Sequence, residues 1–242
     1  MSDTDLPTRF LLIATPVQAA ALLPALGRSM VTLNRAGATH ERIGPVESAT
    51  AEAGTLRIGG AAHESSLALD QVAQIVADRS GGMRGKVFPR IEFQAADGTA
   101  LLTVIGMDGL EPFDAAVQGW AGAALEPRAR PEAPAQAPDA PPTDPGREAL
   151  EALRASGGEV EIRIVAGPAS QSWRGRIEEV KPAMGFANIL RPDFHLHLRD
   201  GSVAGFRASG EDLEALDAEG APSGLVLRPL DPAAREALAR FA

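Results

Sequence analysis

The stretch GFANILRPDFHLHLRDGSVAGF, residues Gly185–Phe206, is the most regularly patterned run of this chain. At its centre, Phe194–Arg199 alternates apolar and polar residues one by one. Because successive side chains of a β-strand point to opposite faces, this alternation predicts a strand with one apolar face packed on a core. The other face would present His195, His197 and Arg199 in a row. Such a row is either a solvated strand face or a ligand-binding surface, and composition alone leaves both open.

The composition limits the classes of function that this chain can have. Its 242 residues suffice for one large or two small domains, and a net charge of -9 argues against a protein that grips nucleic-acid phosphates. The absence of cysteine excludes disulfides, thiolate metal sites and a cysteine nucleophile. The apolar run 10–14 is too short for a signal peptide, and no run reaches the roughly 18 apolar residues of a membrane span. We therefore expect a cytoplasmic protein with no membrane span and no nucleic-acid partner.

Residues 126–146, EPRARPEAPAQAPDAPPTDPG, differ in kind from the rest of the chain, because one residue in three is proline. Such a segment cannot bury apolar area and favours extended conformations, which are typical of a linker between domains. The sequence thus predicts a first half at 1–125, a linker at 126–146 and a second half at 147–242.

Both halves have the pattern of antiparallel hairpins with helices at their ends. Asp-Gly between the alternating runs 89–95 and 100–105 is a strong hairpin signal. Residues 67–77 mix both periodicities and are ambiguous between helix and strand. Helices are predicted at 17–26, 110–124, 147–156 and 232–241, and further strands at 29–34, 38–43, 55–58, 159–165, 171–180, 213–216 and 225–228.

The two halves read alike, as a duplicated unit would. Residues 31–46 lie over 162–177 without a gap, and in the same register Gly54 falls on Gly185. Later, 91–98 lies over 213–220, again without a gap. The ordered turns and apolar positions predict an α+β fold made of two similar halves.

The motifs of both halves resemble those of the HemS/ChuX haem-utilisation family. In the second half, NILRPDFHLHLRDGSVAGF (188–206) is similar to the family's NVLDPxFNLHLREDxIAxxW, and QSWRGRIEEVKP (171–182) to its QIHxGxVxxVxP. In the first half, LGRSMVTLNRAGATHERIG (26–44) resembles LGxVMxLTRNxxAVHExxG, and 75–106 resembles the ChuX-type strand pair. The resemblance implies two α+β halves, each with a long antiparallel sheet and flanking helices. It also implies a cytoplasmic protein that binds haem from an uptake system for trafficking, storage or degradation.

The resemblance also implies candidate haem contacts. His197 lies on the family motif and Arg199 follows it, while His195 replaces the family's asparagine. Because neutral imidazole is a good iron ligand, His195 and His197 are the candidate ligands of haem iron. His40 with Glu41 matches the family's HE pair and is also readable as an ordinary hairpin side chain. Further candidates are His63 as a haem contact and three arginines as partners of the haem propionates, namely Arg35, Arg90 and Arg176.

Several departures from the family pattern leave an alternative function open. In HemS-like members the axial histidine comes from the segment that joins the halves, and here that segment contains none. The first-half positions that correspond to His197 and Arg199 hold Ser66 and Ala68, and the chain has no tyrosine. The alternative is a divergent scaffold that binds a protein or another ligand as a regulatory module. No HExxH, GxSxG, GxGxxG or P-loop motif is present, so no catalytic residue is predicted, and haem degradation is the one enzymatic activity that the resemblance implies.

Overall fold

Antiparallel strands dominate the computed structural model, which describes residues 6–83, 85–128 and 143–242. The strands of the first half are β1 (Arg9–Leu12), β2 (Arg28–Arg35), β3 (Ala38–Pro45), β4 (Ser48–Glu52), β5 (Thr55–Gly59), β6 (Glu64–Ala68), β7 (Gln74–Asp78), β8 (Gly82–Met83), β9 (Lys86–Val87), β10 (Arg90–Gln94), β11 (Ala100–Gly106) and β12 (Ala121–Ala124). Those of the second half are β13 (Glu159–Ala166), β14 (Ala169–Arg176), β15 (Lys181–Ala183), β16 (Phe186–Leu190), β17 (Phe194–Arg199), β18 (Gly205–Ser209), β19 (Asp212–Leu216) and β20 (Pro222–Pro229). The α-helices are α1 (Pro16–Ala20), α2 (Leu110–Val117), α3 (Pro145–Ser156) and α4 (Pro232–Leu238), and 3-10 turns lie at 23–26, 69–71, 118–120 and 239–241.

The order of elements confirms the predicted duplication. In the first half α1 is followed by β2–β7, β10, β11 and α2, and in the second half α3 is followed by β13–β20 and α4. Each half therefore has eight strands between two helices once the short β8–β9 hairpin is set aside. The turn before β5 has φ values of 48° and 78°, and the turn before β16 has 55° and 79°. The chain is an α+β protein with two similar halves.

The described residues divide into two compact units. The first contains the described residues of 1–32, 42–132 and 167–169, and the second contains those of 33–41, 133–166 and 170–242. The predicted division at the linker stays a prediction, because residues 129–142 lie outside the described part of the chain.

In the first unit, one set of hydrogen-bonded strands has the order β12-β1-β7-β10-β11-β2, and another has the order β6-β5-β4. In the second unit, one set has the order β18-β19-β20-β13-β14, and another has the order β3-β17-β16-β15. The segment 33–41 contributes the β3 portion of this last sheet. No helix in the described residues is long and apolar enough to span a membrane.

Two Asp-Pro pairs start the helices of the second unit. Asp144 precedes Pro145, and its side chain accepts a hydrogen bond from the Arg147 backbone N–H, which satisfies a donor that the first turn leaves free. Asp231 caps α4 in the same way. The second carboxylate oxygen of Asp144 accepts from the Gly201 N–H at 2.8 Å. This bond attaches the start of α3 to the turn that follows β17.

The apolar face of β17 packs as the alternation predicts. Phe194, Leu196 and Leu198 are at most 2% exposed. The indole of Trp173 on β14 stacks on the ring of Phe194, with centroids 4.5 Å apart and planes 8° from parallel. The His40 ring, which is fully buried, lies 4.8 Å from the same phenyl ring. These contacts leave the polar face of β17 as the face that carries the functional candidates.

Three segments differ from the expected secondary structure. The helix predicted at 110–124 ends earlier, and Ala121–Ala124 forms β12 beside β1, because strand pairing overrides the helix propensity of alanine. The ambiguous segment 67–77 contains the end of β6 and the start of β7 on either side of a 3-10 turn. The helix predicted at 17–26 is instead two short elements, α1 and the 3-10 turn at 23–26.

Candidate functional site

The polar face of β17 forms a half-buried cluster with side chains from both neighbouring strands. His195 and His197 each have side chains that are 31% exposed, and between them lies Glu41 of β3, which is 14% exposed. On the other side, Asn188 of β16 is the register partner of His197. The predicted alternation is thus confirmed, and the sheet adds a carboxylate and an amide to the two imidazoles. We call Glu41, Asn188, His195 and His197 the histidine cluster.

The hydrogen bonds of Asn188 determine the tautomer of His197. The Asn188 side-chain N–H groups point at the carbonyl oxygens of Lys181, Phe186 and Ala183, at 2.9, 3.1 and 3.4 Å. Because only the amide nitrogen can donate to carbonyls, the amide oxygen faces the other way, where it lies 2.6 Å from His197 Nδ1. An oxygen acceptor requires that Nδ1 carries a proton. In the neutral imidazole, Nε2 of His197 therefore carries no proton and has a free lone pair.

Glu41 is the acidic centre of the histidine cluster. One of its carboxylate oxygens lies 3.1 Å from His195 Nδ1 and 3.7 Å from His197 Nε2. Burial alone would raise the pKa of Glu41, but the hydrogen bonds and charges of the two histidines outweigh burial and lower the pKa to about 2. The carboxylate therefore stays ionised at any physiological pH and presents a negative charge to both rings.

Two exposed arginines line a groove on the same sheet. The open groove has a volume of about 360 Å³ and is bordered by Arg35, Arg199, Phe186 and the turn between β2 and β3. Neither arginine has an ion-pair partner among the residues that the structure describes. The turn approaches β17 closely, since the Arg199 N–H donates to the Gly37 carbonyl at 2.9 Å. A side chain at Gly37 would place its Cβ 2.7 Å from that of Ser202, so the close approach requires glycine.

The remaining candidates have local partners of their own. His63 is 3% exposed and donates from Nε2 to the Gly44 carbonyl at 2.9 Å, and burial lowers its pKa although that bond opposes the shift. Arg90 lies 3.6 Å from the fully buried carboxylate of Asp78. His63 and Arg90 belong to the first unit, whereas His195, His197, Arg199 and Arg35 belong to the second.

His40 and Arg176, which were the other candidates, also have partners within the described residues. His40 donates from Nε2 to the Ile162 carbonyl and accepts from the Gln171 amide at Nδ1, so it is a core residue with both ring nitrogens bonded. Arg176 lies 3.5 Å from Glu159.

Sequence reasoning did not select Glu41 and Asn188 as site residues. Glu41 is 154 positions from His195, and only the pairing of β3 with β17 brings them together. The available signal was strand alternation, which places Glu41 and His40 on opposite faces of β3.

Among known proteins, similarity to this chain is found at the level of structure. No protein-family model matches the chain, and no curated protein matches its sequence. Among solved structures, ChuS, an E. coli heme oxygenase, matches with a TM-score of 0.77 over 97% of this chain and 89% of its own, at 18% identity. The chain has the ChuS fold. PhuS, a heme-binding protein from Pseudomonas aeruginosa, matches in its holo form with a TM-score of 0.75 over 97% of this chain and 87% of its own, at 20% identity. The predicted resemblance to the two-repeat HemS/ChuX architecture is confirmed at the level of the fold.

Proposed function

We propose that this protein binds haem on the polar face formed by β3, β17 and β16. One observation carries the proposal: two unpaired arginines and two half-exposed imidazoles lie on one sheet of the second unit. The ChuS fold supports it, because ChuS and PhuS are named for the degradation and the binding of heme. The sequence resemblance supports a cytoplasmic location and delivery by a haem uptake system as parts of the same proposal.

The residues of this face fit the chemistry of haem. Haem iron takes an imidazole nitrogen as an axial ligand. His197 offers a bare Nε2, and His195 offers whichever ring nitrogen does not carry a proton. A carboxylate that accepts a hydrogen bond from a ligating histidine fixes its ring and raises its basicity, and Glu41 is placed to do this for His195. The face therefore offers two candidate imidazoles for the iron and a carboxylate that would orient one of them.

The arginine groove fits the propionates. Guanidinium groups pair with carboxylates in a two-pronged geometry, and Arg35 and Arg199 border one groove without a carboxylate of their own among the described residues. Because residue 37 is glycine, the β2–β3 turn can lie close to the end of β17, and Arg35 and Arg199 border the same groove. We leave His63 and Arg90 outside the proposed contacts, because the first is buried and the second lies against Asp78.

A hemin titration followed by the Soret band tests the proposal. Wild-type protein is expected to give a saturable shift at one hemin per chain. The double variant His195→Ala/His197→Ala is expected to lose the shifted band, because no other described residue of this face offers a nitrogen lone pair. Arg35→Ala and Arg199→Ala are each expected to weaken binding about fivefold, since an exposed ion pair contributes up to about 1 kcal/mol.

Arg57→Ala is the matched control, since Arg57 is an exposed arginine of β5 in the first unit. Its hemin affinity is expected to equal that of the wild type. A wild-type protein that shows no saturable Soret shift would refute haem binding and favour the alternative function, a scaffold that binds a protein or another ligand.

A further inference from the structure

The three side chains that face one another in the histidine cluster are of the types that hold a transition metal. Ligand atoms of Glu41, His195 and His197 all lie within 4.8 Å of one another. Each side chain is partly buried, so the groups are restrained and still reachable from solvent. Two imidazoles with one carboxylate form the ligand set of many zinc and non-haem iron sites, where the remaining coordination positions stay open.

From this arrangement we infer that Glu41, His195 and His197 bind a single divalent transition-metal ion, such as Zn²⁺ or Fe²⁺, directly and without a porphyrin. The inference goes beyond the proposed haem binding and does not rest on it. It assigns Glu41 the role of a ligand, whereas in haem binding Glu41 would only orient His195.

The distances are close to those of a bound ion. Two ligands at the zinc–nitrogen distance are about 3.4 Å apart in a tetrahedral site. The Glu41 oxygen lies 3.1 Å from His195 Nδ1 and 3.7 Å from His197 Nε2, values that bracket this spacing. The two imidazole nitrogens lie within 4.8 Å of each other, and a bound ion would hold them at the same spacing.

The hydrogen bond between His197 and Asn188 leaves the other ring nitrogen of His197 available to an ion. Asn188 holds a proton on Nδ1, so Nε2, which lies 3.7 Å from a Glu41 oxygen, is the ring nitrogen left to bind an ion. A ligating histidine that donates its other N–H to an oxygen acceptor is the usual outer arrangement of protein metal sites. The Asn188 amide, held by backbone carbonyls, supplies that acceptor.

The ligand types define the class of ion. Imidazole nitrogens suit zinc, iron, nickel and copper, whereas magnesium and calcium prefer sites made of oxygen atoms. The described residues of the cluster supply one carboxylate and two nitrogens, so an excess of Mg²⁺ is expected not to displace zinc. Haem iron would use the same nitrogens, so bound zinc is expected to weaken hemin binding if both ligands bind.

Calorimetric titration of the full, tag-free, chelator-treated chain with Zn²⁺ tests the inference. We expect one ion per chain. Glu41→Gln and His195→Ala are each expected to weaken the affinity at least about tenfold, because even outer-shell changes at such sites cost about that much. The matched control is Glu64→Gln, which changes the residue at the position of the first repeat that corresponds to His195.

A second measurement identifies the ligands if His197→Ala fails to fold. In long-range ¹H–¹⁵N spectra, zinc is expected to shift His197 Nε2 and His195 Nδ1 and to leave His40 and His63 unchanged. The inference is overturned if wild-type protein shows no saturable zinc binding, if Glu41→Gln binds as tightly as Glu64→Gln, or if His63 shifts in place of the cluster. Because the ion titration is run without hemin, its failure leaves the haem proposal untouched, and a missing Soret shift leaves the ion site untouched.

Discussion

Replacing Asn188 with leucine tests the hydrogen bonding that organises the histidine cluster. The residue is 8% exposed, and its side chain accepts from His197 at 2.6 Å and donates to carbonyls at 2.9 and 3.1 Å. The contact of the amide nitrogen with the Ala183 carbonyl, at 3.4 Å, is too long to count as a full bond. Leucine has a similar size and removes the bond to His197 and the two shorter bonds to backbone carbonyls. At about 1 kcal/mol net for each bond, the free energy of unfolding is expected to fall by about 2–4 kcal/mol.

Urea denaturation at equilibrium measures this loss, and long-range ¹H–¹⁵N spectra measure the tautomer. Wild-type His197 is expected to carry its proton on Nδ1, and the Asn188→Leu variant is expected to populate the Nε2–H form. Asn34→Leu serves as the matched control, because Asn34 is an exposed asparagine whose side-chain oxygen accepts from a threonine hydroxyl. A wild-type His197 with its proton on Nε2, or a loss no larger than that of the control, would refute the reasoning.

Three further changes test the packing and charge of the second unit. Trp173→Ala is expected to lower the free energy of unfolding by about 3–5 kcal/mol in denaturant titrations, because the indole is buried against Phe194. Gly224→Ala is expected to cost more than about 1 kcal/mol, since φ is +92° and the new Cβ would lie 2.5 Å from a backbone oxygen, whereas Gly205→Ala meets no atom within 4 Å and serves as its control. Burial alone would raise the pKa of Asp212, but two arginine side chains outweigh it and lower the pKa below 3.8. The stabilisation by this carboxylate is therefore present above pH 3.8 and lost as the pH falls below it, so Asp212→Asn is expected to flatten the acid limb of a stability–pH profile.

Much of the fold could be predicted because it depends on local patterns. Strand alternation identified β17 with its buried and polar faces, and the ordered match of turns and apolar positions between the halves identified the repeat. The register confirms that Ser66 corresponds to His197, since Arg57 pairs with Ser66 as Asn188 pairs with His197. These features follow from side-chain periodicity and turn chemistry, which act over a few residues.

The histidine cluster could be predicted only in part because it depends on the pairing of distant strands. The sequence indicates that His195 and His197 share a face, but periodicity does not say which strand lies beside β17. Glu41 enters the site because the 33–41 segment belongs to the second unit. Similarly, Ala121–Ala124 has the composition of a helix, and its pairing with β1 is a tertiary effect.

Adding one equivalent of hemin to ¹⁵N-labelled protein tests the central claim most directly, because paramagnetic iron broadens the amide signals nearest to it. The account predicts that the greatest broadening falls on residues 36–41, 186–190 and 194–199. Broadening that is greatest elsewhere in the chain, or a spectrum that hemin leaves unchanged, would contradict it.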